Sequence, residues 1–147
     1  MEIKIAETNA EILFAYPVMK ELRPHLVEEK FIEIIRLMAQ EKYKLVCLLD
    51  PNVRAVAGIR LMETLATGKV LYVDDLVTSM EYRSKGYGKI LLDWLIDTAK
   101  KQNCHFLKLD SGLKRTDAHR FYRRHGLEQI AHHFSIPTDG GPQWTSE

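Results

Sequence analysis

The run Leu76-Val77-Thr78-Ser79-Met80-Glu81-Tyr82-Arg83-Ser84-Lys85-Gly86-Tyr87-Gly88 carries an apolar segment through a basic, glycine-spaced turn into the amphipathic stretch Lys89 to Lys101. A strand, a tight turn and a helix must therefore follow one another here, and the rest of the chain has to be built around that unit. Gly86 and Gly88 lack a Cβ, so the backbone can take dihedrals closed to other residues and come close to an anion. The first N–H groups of the helix have no intrahelical acceptor and form the positive end of its dipole. The arrangement is that of a phosphate cradle, and a pyrophosphate is the expected guest.

Other phosphate loops fit less well. A dinucleotide fingerprint would place a third glycine at Leu91 and an acidic residue at the end of the next strand, and a P-loop would follow the Gly88-Lys89 pair with Ser or Thr, where the chain has Ile90. Taken alone, Arg83-x-x-Gly86-x-Gly88 also describes an ordinary basic helix entry.

The surroundings bound the reading. With 147 residues and 46% apolar side chains, the chain has the size of one compact domain, expected over 1–137 with a loose tail at 138–147 whose one large apolar side chain is Trp144. Cys47 and Cys104 lie far apart in apolar runs without metal-ligand spacing, as buried thiols of a reducing compartment do. No apolar stretch approaches membrane-spanning length, and Met1-Glu2-Ile3-Lys4-Ile5 alternates like a strand and not like a signal peptide. A cytoplasmic protein without membrane partners is expected. The formal net charge of +1 argues against nucleic-acid binding, although from Lys100 to His125 eight basic side chains face only Asp110 and Asp117. Most of these form a solvated face; Arg120 or Arg124 is placed to touch phosphate.

Along the chain, Glu2 to Ala6 reads as a strand, and a helix capped by Asn9 runs to about Leu22 before Arg23-Pro24 breaks it. A second helix carries Phe31, Ile34, Ile35 and Met38 at helical spacing. Tyr43 to Leu49 and Val53 to Met62 are strands joined at Asp50-Pro51-Asn52, and Val70 to Thr78 completes a three-strand meander. Leu91, Leu92, Leu95, Ile96 and Ala99 give the next helix an apolar face, Cys104 to Leu109 returns as a strand beside the central one through a right-handed crossover, and Asp117 to His125 forms a last helix. Leu127 to Ile136 is expected to be the final strand, with an exposed edge that would invite a homodimer.

The cluster Ala118-His119-Arg120-Phe121-Tyr122-Arg123-Arg124-His125-Gly126-Leu127, downstream of the Cys104 to Leu109 strand, supplies an Ala-x-x-Phe-Tyr-x-x-x-Gly pattern. With the glycine loop before it, this order resembles the GNAT-type N-acetyltransferases over about Val70 to Leu127. The resemblance implies an α/β (mixed α+β) fold: a mostly antiparallel sheet with one parallel strand pair at the acyl-CoA cleft, flanked by about four helices. It implies acetyl-CoA as cosubstrate and an amine acceptor, attacked directly in a ternary complex. It further implies that the backbone of Leu76, Val77 and Thr78 pairs with the pantetheine arm and that the backbone groups of Arg83, Ser84, Lys85, Gly86, Tyr87, Gly88 and Lys89 hold the pyrophosphate. Two departures stand out. Arg115 occupies the place where many members carry an asparagine, and Ser84 replaces a commoner loop glycine. An acyl-CoA-binding regulatory or scaffold module without turnover is the alternative.

Such a transfer has two proton problems. An amine of pKa near 10.4 is neutral only about once in 10³ molecules at pH 7, and a thiolate leaving group needs a proton or a donor. The resemblance aligns Tyr122 with the family's tyrosine that serves the departing sulfur; by spacing alone Tyr122 is equally a core aromatic. Asp74 and Asp75 are carboxylates inside an apolar strand, where charge must be exposed or paired. One of them is expected beside the acceptor, since neighbours on a strand point to opposite faces unless a bulge intervenes, and an ion pair is the competing role. Glu63 and His119 are weaker candidates. The acceptor itself cannot be read, although Glu28, Glu29 and Glu33 would suit a cationic one.

Overall fold

Five strands form one sheet in the order of the chain: β1 (Glu2–Ile5), β2 (Lys44–Leu49), β3 (Val53–Thr64), β4 (Gly68–Thr78) and β5 (Phe106–Leu109). The computed structural model describes residues 1–138 and 140. Strands β1 to β4 pair antiparallel, and β4 pairs parallel with β5. That parallel pair needs a crossover, supplied by α3 (Tyr87–Lys101), whose Leu91, Leu92, Leu95 and Ala99 are buried.

Both faces of the sheet are covered, which is why its central strands read as continuous apolar runs. On one face Leu45, Cys47, Val56 and Val77 pack under α1 (Asn9–Leu22) and α2 (Glu28–Ala39), where Phe31 meets Tyr16 edge-on at 5.2 Å. On the other, Val46, Leu48, Ala57, Ile59, Leu71 and Val73 pack against Leu91 and Leu95 of α3. A last helix, α4 (Thr116–Arg124), follows β5.

Helix α1 is capped by Thr8 and not by Asn9. The Glu11 N–H donates to Thr8 Oγ1 at 3.1 Å and the Thr8 N–H donates to Glu11 Oε1 at 3.0 Å, a reciprocal box that requires the extended backbone found at Thr8. Asn9 instead accepts from Arg36 at 2.9 Å.

The expected final strand is absent among the described residues. From Leu127 to Thr138 no strand pairing forms, and Ile130, Phe134 and Ile136 are 71%, 88% and 82% exposed. Strand β5 spans four residues, too short an edge to template a ten-residue partner, and Glu128, Gln129, His132 and His133 interrupt the apolar alternation. The expected tail lies largely outside the described residues, and Trp144 wholly so.

Two irregularities of β4 create the site. Pairing with β5 ends at Val73–Leu109, while β4 continues to Thr78, so the strands part and leave the far edge of Leu76 to Thr78 without a neighbour on that side. The register with β3 also slips: Asp75 faces Gly58 and Val73 faces Ile59, leaving Asp74 as the extra residue of a β-bulge.

Candidate active site

Between the parted strands opens a cleft of about 730 Å³, bounded by Leu76 to Thr78, by the loop and first turn of α3, and by α4. Gly86, at φ 85°, adopts the left-handed conformation that lets the loop turn into the helix. Its carbonyl accepts the first helical bond, from Ile90 at 3.1 Å, so the N–H groups of Tyr87, Gly88 and Lys89 lack helical acceptors. Those three residues line the cleft, as the phosphate-cradle reading requires.

Gly88 sits at the tightest point. A Cβ there would lie 3.1 Å from Thr78 Oγ1 and 3.4 Å from Phe121 Cζ, so glycine is what lets β4, α3 and α4 converge without filling the cleft. Ser84, at φ 66°, takes a left-handed conformation that glycine would adopt freely, at a cost of about 1–2 kcal/mol. Not every expected loop residue points inward. Lys85 does not line the cleft, its ammonium resting 5.5 Å from the centre of the Tyr82 ring, and the Lys89 side chain pairs with Asp93 at 2.6 Å. The Lys89 N–H, not its ammonium, is the group left for the cleft. Arg83 lines the cleft and reaches Thr78 O at 3.4 Å. Of the two arginines singled out for phosphate, Arg124 lines the cleft, whereas Arg120 pairs with Asp117.

Tyr122 stands at the inner end. Its ring is buried, packed edge-on against Phe121 at 5.6 Å, and it lines both the cleft and a small recess that continues between β4 and β5. The ring is core, and the same side chain bounds the cleft. Burial pushes the phenol's pKa above its ordinary value, against the smaller opposing pull of the Arg115 guanidinium beside it and of Arg23. The phenol is thus protonated at neutral pH, the state a proton donor needs.

The two aspartates do not divide between the faces. Because Asp74 is the bulged residue, both carboxylates turn towards α1 and α2, and both line the recess. Asp75 accepts from Arg23 Nε at 3.0 Å and from the Tyr43 hydroxyl at 2.9 Å, one bond to each oxygen. Asp74 is gripped by Arg60 at 2.8 Å, and Arg60 also pairs with Glu41 at 3.2 Å. Burial and the Asp75 charge push the Tyr43 phenol well above its ordinary pKa, fixing it as the donor. The ring of Tyr43 fits there because residue 58 is glycine: a Cβ on Gly58 would fall 1.9 Å from the Tyr43 hydroxyl oxygen.

We therefore expect Asp75→Asn to lower the melting temperature more than Asp74→Asn. The first strips the half-buried Arg23 of the one carboxylate it pairs with among the described residues and disturbs the Tyr43 bond, while the second leaves Arg60 with Glu41. Losing such a partner costs about 1–3 kcal/mol, discounted for the exposure of Arg23, and about 2–4 °C follow per kcal/mol. Thermal unfolding read beside acyl transfer checks it; equal melting temperatures would show that the network does not brace the bulge.

Other candidates lie elsewhere. Glu63 pairs across the strands with Lys69 at the far end of the β3–β4 hairpin, and His119 Nε2 lies 2.8 Å from Gly112 O, bracing the start of α4. Burial pushes the Cys47 thiol up to about 12, so it is inert near neutral pH. Among the described residues no group of His, Cys, Asp and Glu is placed to hold a metal ion. Sequence reasoning passed over Arg23, Tyr43 and Arg60, and the hydrogen bond of 2.6 Å from the Tyr72 hydroxyl to Asp110 at the edge of the recess. The isolated strand glycine Gly58 was the available signal, since such a residue marks a bulge or a close approach.

The chain is similar in sequence and in fold to known proteins. The chain is 43% identical over 124 residues to the Uncharacterized N-acetyltransferase YhdJ of Bacillus subtilis (strain 168), spanning 83% of this chain and 87% of that one. It is 29% identical over 100 residues to the aminoalkylphosphonate N-acetyltransferase of Salmonella typhimurium, covering 60% and 65% of the two chains. Its fold matches a putative acetyltransferase from Agrobacterium tumefaciens with a TM-score of 0.80 at 21% identity, covering 94% of this chain and all (100%) of the other. It likewise matches the aminoglycoside N-acetyltransferase AAC(6')-Iy in complex with CoA, with a TM-score of 0.78 at 13% identity, over 95% and 96% of the two chains. Residues 7–127, which hold the cradle, the cleft and Tyr122, match the acetyltransferase (GNAT) family, and the chain belongs to that family of acetyl-CoA-dependent acyltransferases.

Proposed function

We propose that this enzyme transfers the acetyl group of acetyl-CoA to the primary amine of a small acceptor, by direct attack within a ternary complex. The observation that carries the reading is the position of Tyr122, whose ring bounds both the cofactor cleft and the recess where an acceptor would enter. Acetyl-CoA supplies an activated thioester. The free backbone edge of Leu76 to Thr78 holds its pantetheine arm as an added strand would be held, and the N–H groups of Tyr87, Gly88 and Lys89 bind its pyrophosphate beside Arg83 and Arg124. As the amine nitrogen bonds to the acyl carbon and the carbon–sulfur bond breaks, the Tyr122 hydroxyl gives its proton to the sulfur.

Each oxygen of Asp75 already accepts a hydrogen bond, and Asp74 is gripped by Arg60. Both suit a charge-holding role: they attract and orient the acceptor's ammonium, and its surplus proton leaves to water in the cleft. The recess also carries Arg23, Asp110 and Arg115, so both signs of charge meet the acceptor. A small amine bearing an anionic group fits that mixture, and the resemblance to an aminoalkylphosphonate N-acetyltransferase makes aminophosphonates, with aminoglycosides and polyamines, the first acceptors to assay.

Acetyl-CoA and CoA are expected to raise the melting temperature by several degrees at a hundred times the Kd, where binding contributes about 2.7 kcal/mol, whereas NAD and ATP shift it far less. Equal shifts from all four would remove the CoA assignment. Release of free thiol with an amine panel then separates an enzyme from a binding module, which would bind CoA and release none.

A further inference from the structure

Among the described residues only Leu76, Arg115 and Tyr122 line both the cleft and the recess, and Arg115 is the one charged residue of the three. Its backbone is fixed from both sides. The Arg115 N–H donates to Gly112 O at 3.0 Å, and its carbonyl accepts from the His119 N–H at 3.1 Å, so the backbone from which the side chain starts is fixed at the entry to α4. The other cation of the recess, Arg23, is committed to Asp75 and to the Asp74 carbonyl. Among the described residues, no carboxylate pairs with Arg115. Arg115 is exposed, so its guanidinium is solvated and free of any described carboxylate, while Tyr122 beside it along both cavities is buried.

We propose that Arg115 is a positioning residue that sets the acidity of Tyr122 by stabilising the phenolate left when the hydroxyl proton passes to the CoA sulfur. The inference rests on the proton-donor reading of Tyr122. In that step the O–H bond breaks, an S–H bond forms and the electron pair stays on the phenolic oxygen, which later regains a proton of the kind the attacking amine has lost to water. The charged groups around the phenol are Asp74 and Asp75 from β4, Asp110 after β5, Arg23 at the end of α1, and Arg115, with Arg124 and His125 on its own helix facing the cleft. The three carboxylates oppose phenolate formation, but Asp74 and Asp75 are paired and Asp110 is engaged by Tyr72. Arg115 is the group that offsets burial most directly.

A fluorinated tyrosine placed at position 122 alone lowers the phenol's titration into a range where the protein stays folded, and its fluorine resonance then reports the midpoint. We expect Arg115→Met to raise that midpoint by about one unit, a tenfold weaker acid, and Arg115→Lys to restore most of it. In the unlabelled enzyme Arg115→Met slows single-turnover transfer several-fold, with acceptor KM unchanged and circular dichroism unaltered. An unshifted midpoint in a folded Arg115→Met variant overturns the proposal. An unshifted midpoint with a raised acceptor KM overturns it too, and marks Arg115 as an anchor for an anionic acceptor. Failure of the proton-donor reading shows separately: a Tyr122→Phe variant with full transfer removes that reading, whereas a slow Phe variant beside an unshifted midpoint removes only Arg115.

Discussion

Valine in place of Gly88 is expected to weaken acetyl-CoA binding by roughly 10²-fold while the protein remains folded. The Cβ alone would press Thr78 Oγ1 at 3.1 Å and Phe121 Cζ at 3.4 Å, and the two further methyl groups have only the cleft to enter. Residue 88 lies within the first turn of α3 with no positive φ, so valine meets no backbone strain there. The damage therefore falls on the bound state, where the phosphate would meet methyl groups instead of bare N–H donors. Overpacking costs about 1–3 kcal/mol, and each 1.4 kcal/mol is tenfold in affinity. Gly88→Ala, which adds the Cβ without the branches, should fall between. Calorimetric titration with CoA at two salt concentrations is the measurement, since the wild-type contacts are largely ionic and weaken with salt. Unchanged affinity in a folded Gly88→Val protein would place the pyrophosphate elsewhere.

The parts of the site that the sequence exposes are those whose cause is local. The turn from β4 into α3 is set by glycines and by the onset of helical periodicity within about a dozen residues, and Tyr122 by the spacing along a single helix. The bulge is different. It arises where β3 and β4 pair, because Gly58 leaves room for the Tyr43 ring, and it alone turns Asp74 onto the face of Asp75. Strand alternation read along β4 had no access to that cause. The partners of the carboxylates are as remote: Arg23 is 52 residues from Asp75, and Arg60 is 14 from Asp74. The side-chain partners of Lys85 and Lys89 were not legible either: Lys85 rests on Tyr82 and Lys89 pairs with Asp93, so for these two the loop reading rests on the backbone. The final strand misled because a strand is a property of its neighbour. Leu127 to Ile136 has apolar residues in sufficient number, but β5 presents only four residues to pair with.

Tyr122→Phe is expected to slow acetyl transfer by roughly 10²-fold or more while leaving the fold and acetyl-CoA affinity in place, the range for removal of a positioned general acid. The ring is what packs: it is buried, edge-on to Phe121 at 5.6 Å, and phenylalanine keeps every one of those contacts. Only the hydroxyl is lost, from a side chain that lines both the cleft and the recess. Were that hydroxyl instead a buried structural donor, its removal would cost about 1–3 kcal/mol, visible as a lowered melting temperature. The two roles are therefore separable in one variant. The pH dependence adds a second criterion: burial raises the phenol's pKa, so the proton to be donated is present throughout the neutral range and is lost only as pH climbs past the ordinary tyrosine value. Wild-type transfer should hold its rate up to that alkaline limit and then fall, and the slow residual transfer of the Phe variant should lack the fall. Single-turnover measurements are required, because product release can mask a defect in the chemical step. A Phe variant whose chemical step keeps wild-type speed across that range, with a true acceptor, would refute the proton-donor role and leave the thiolate to depart unaided.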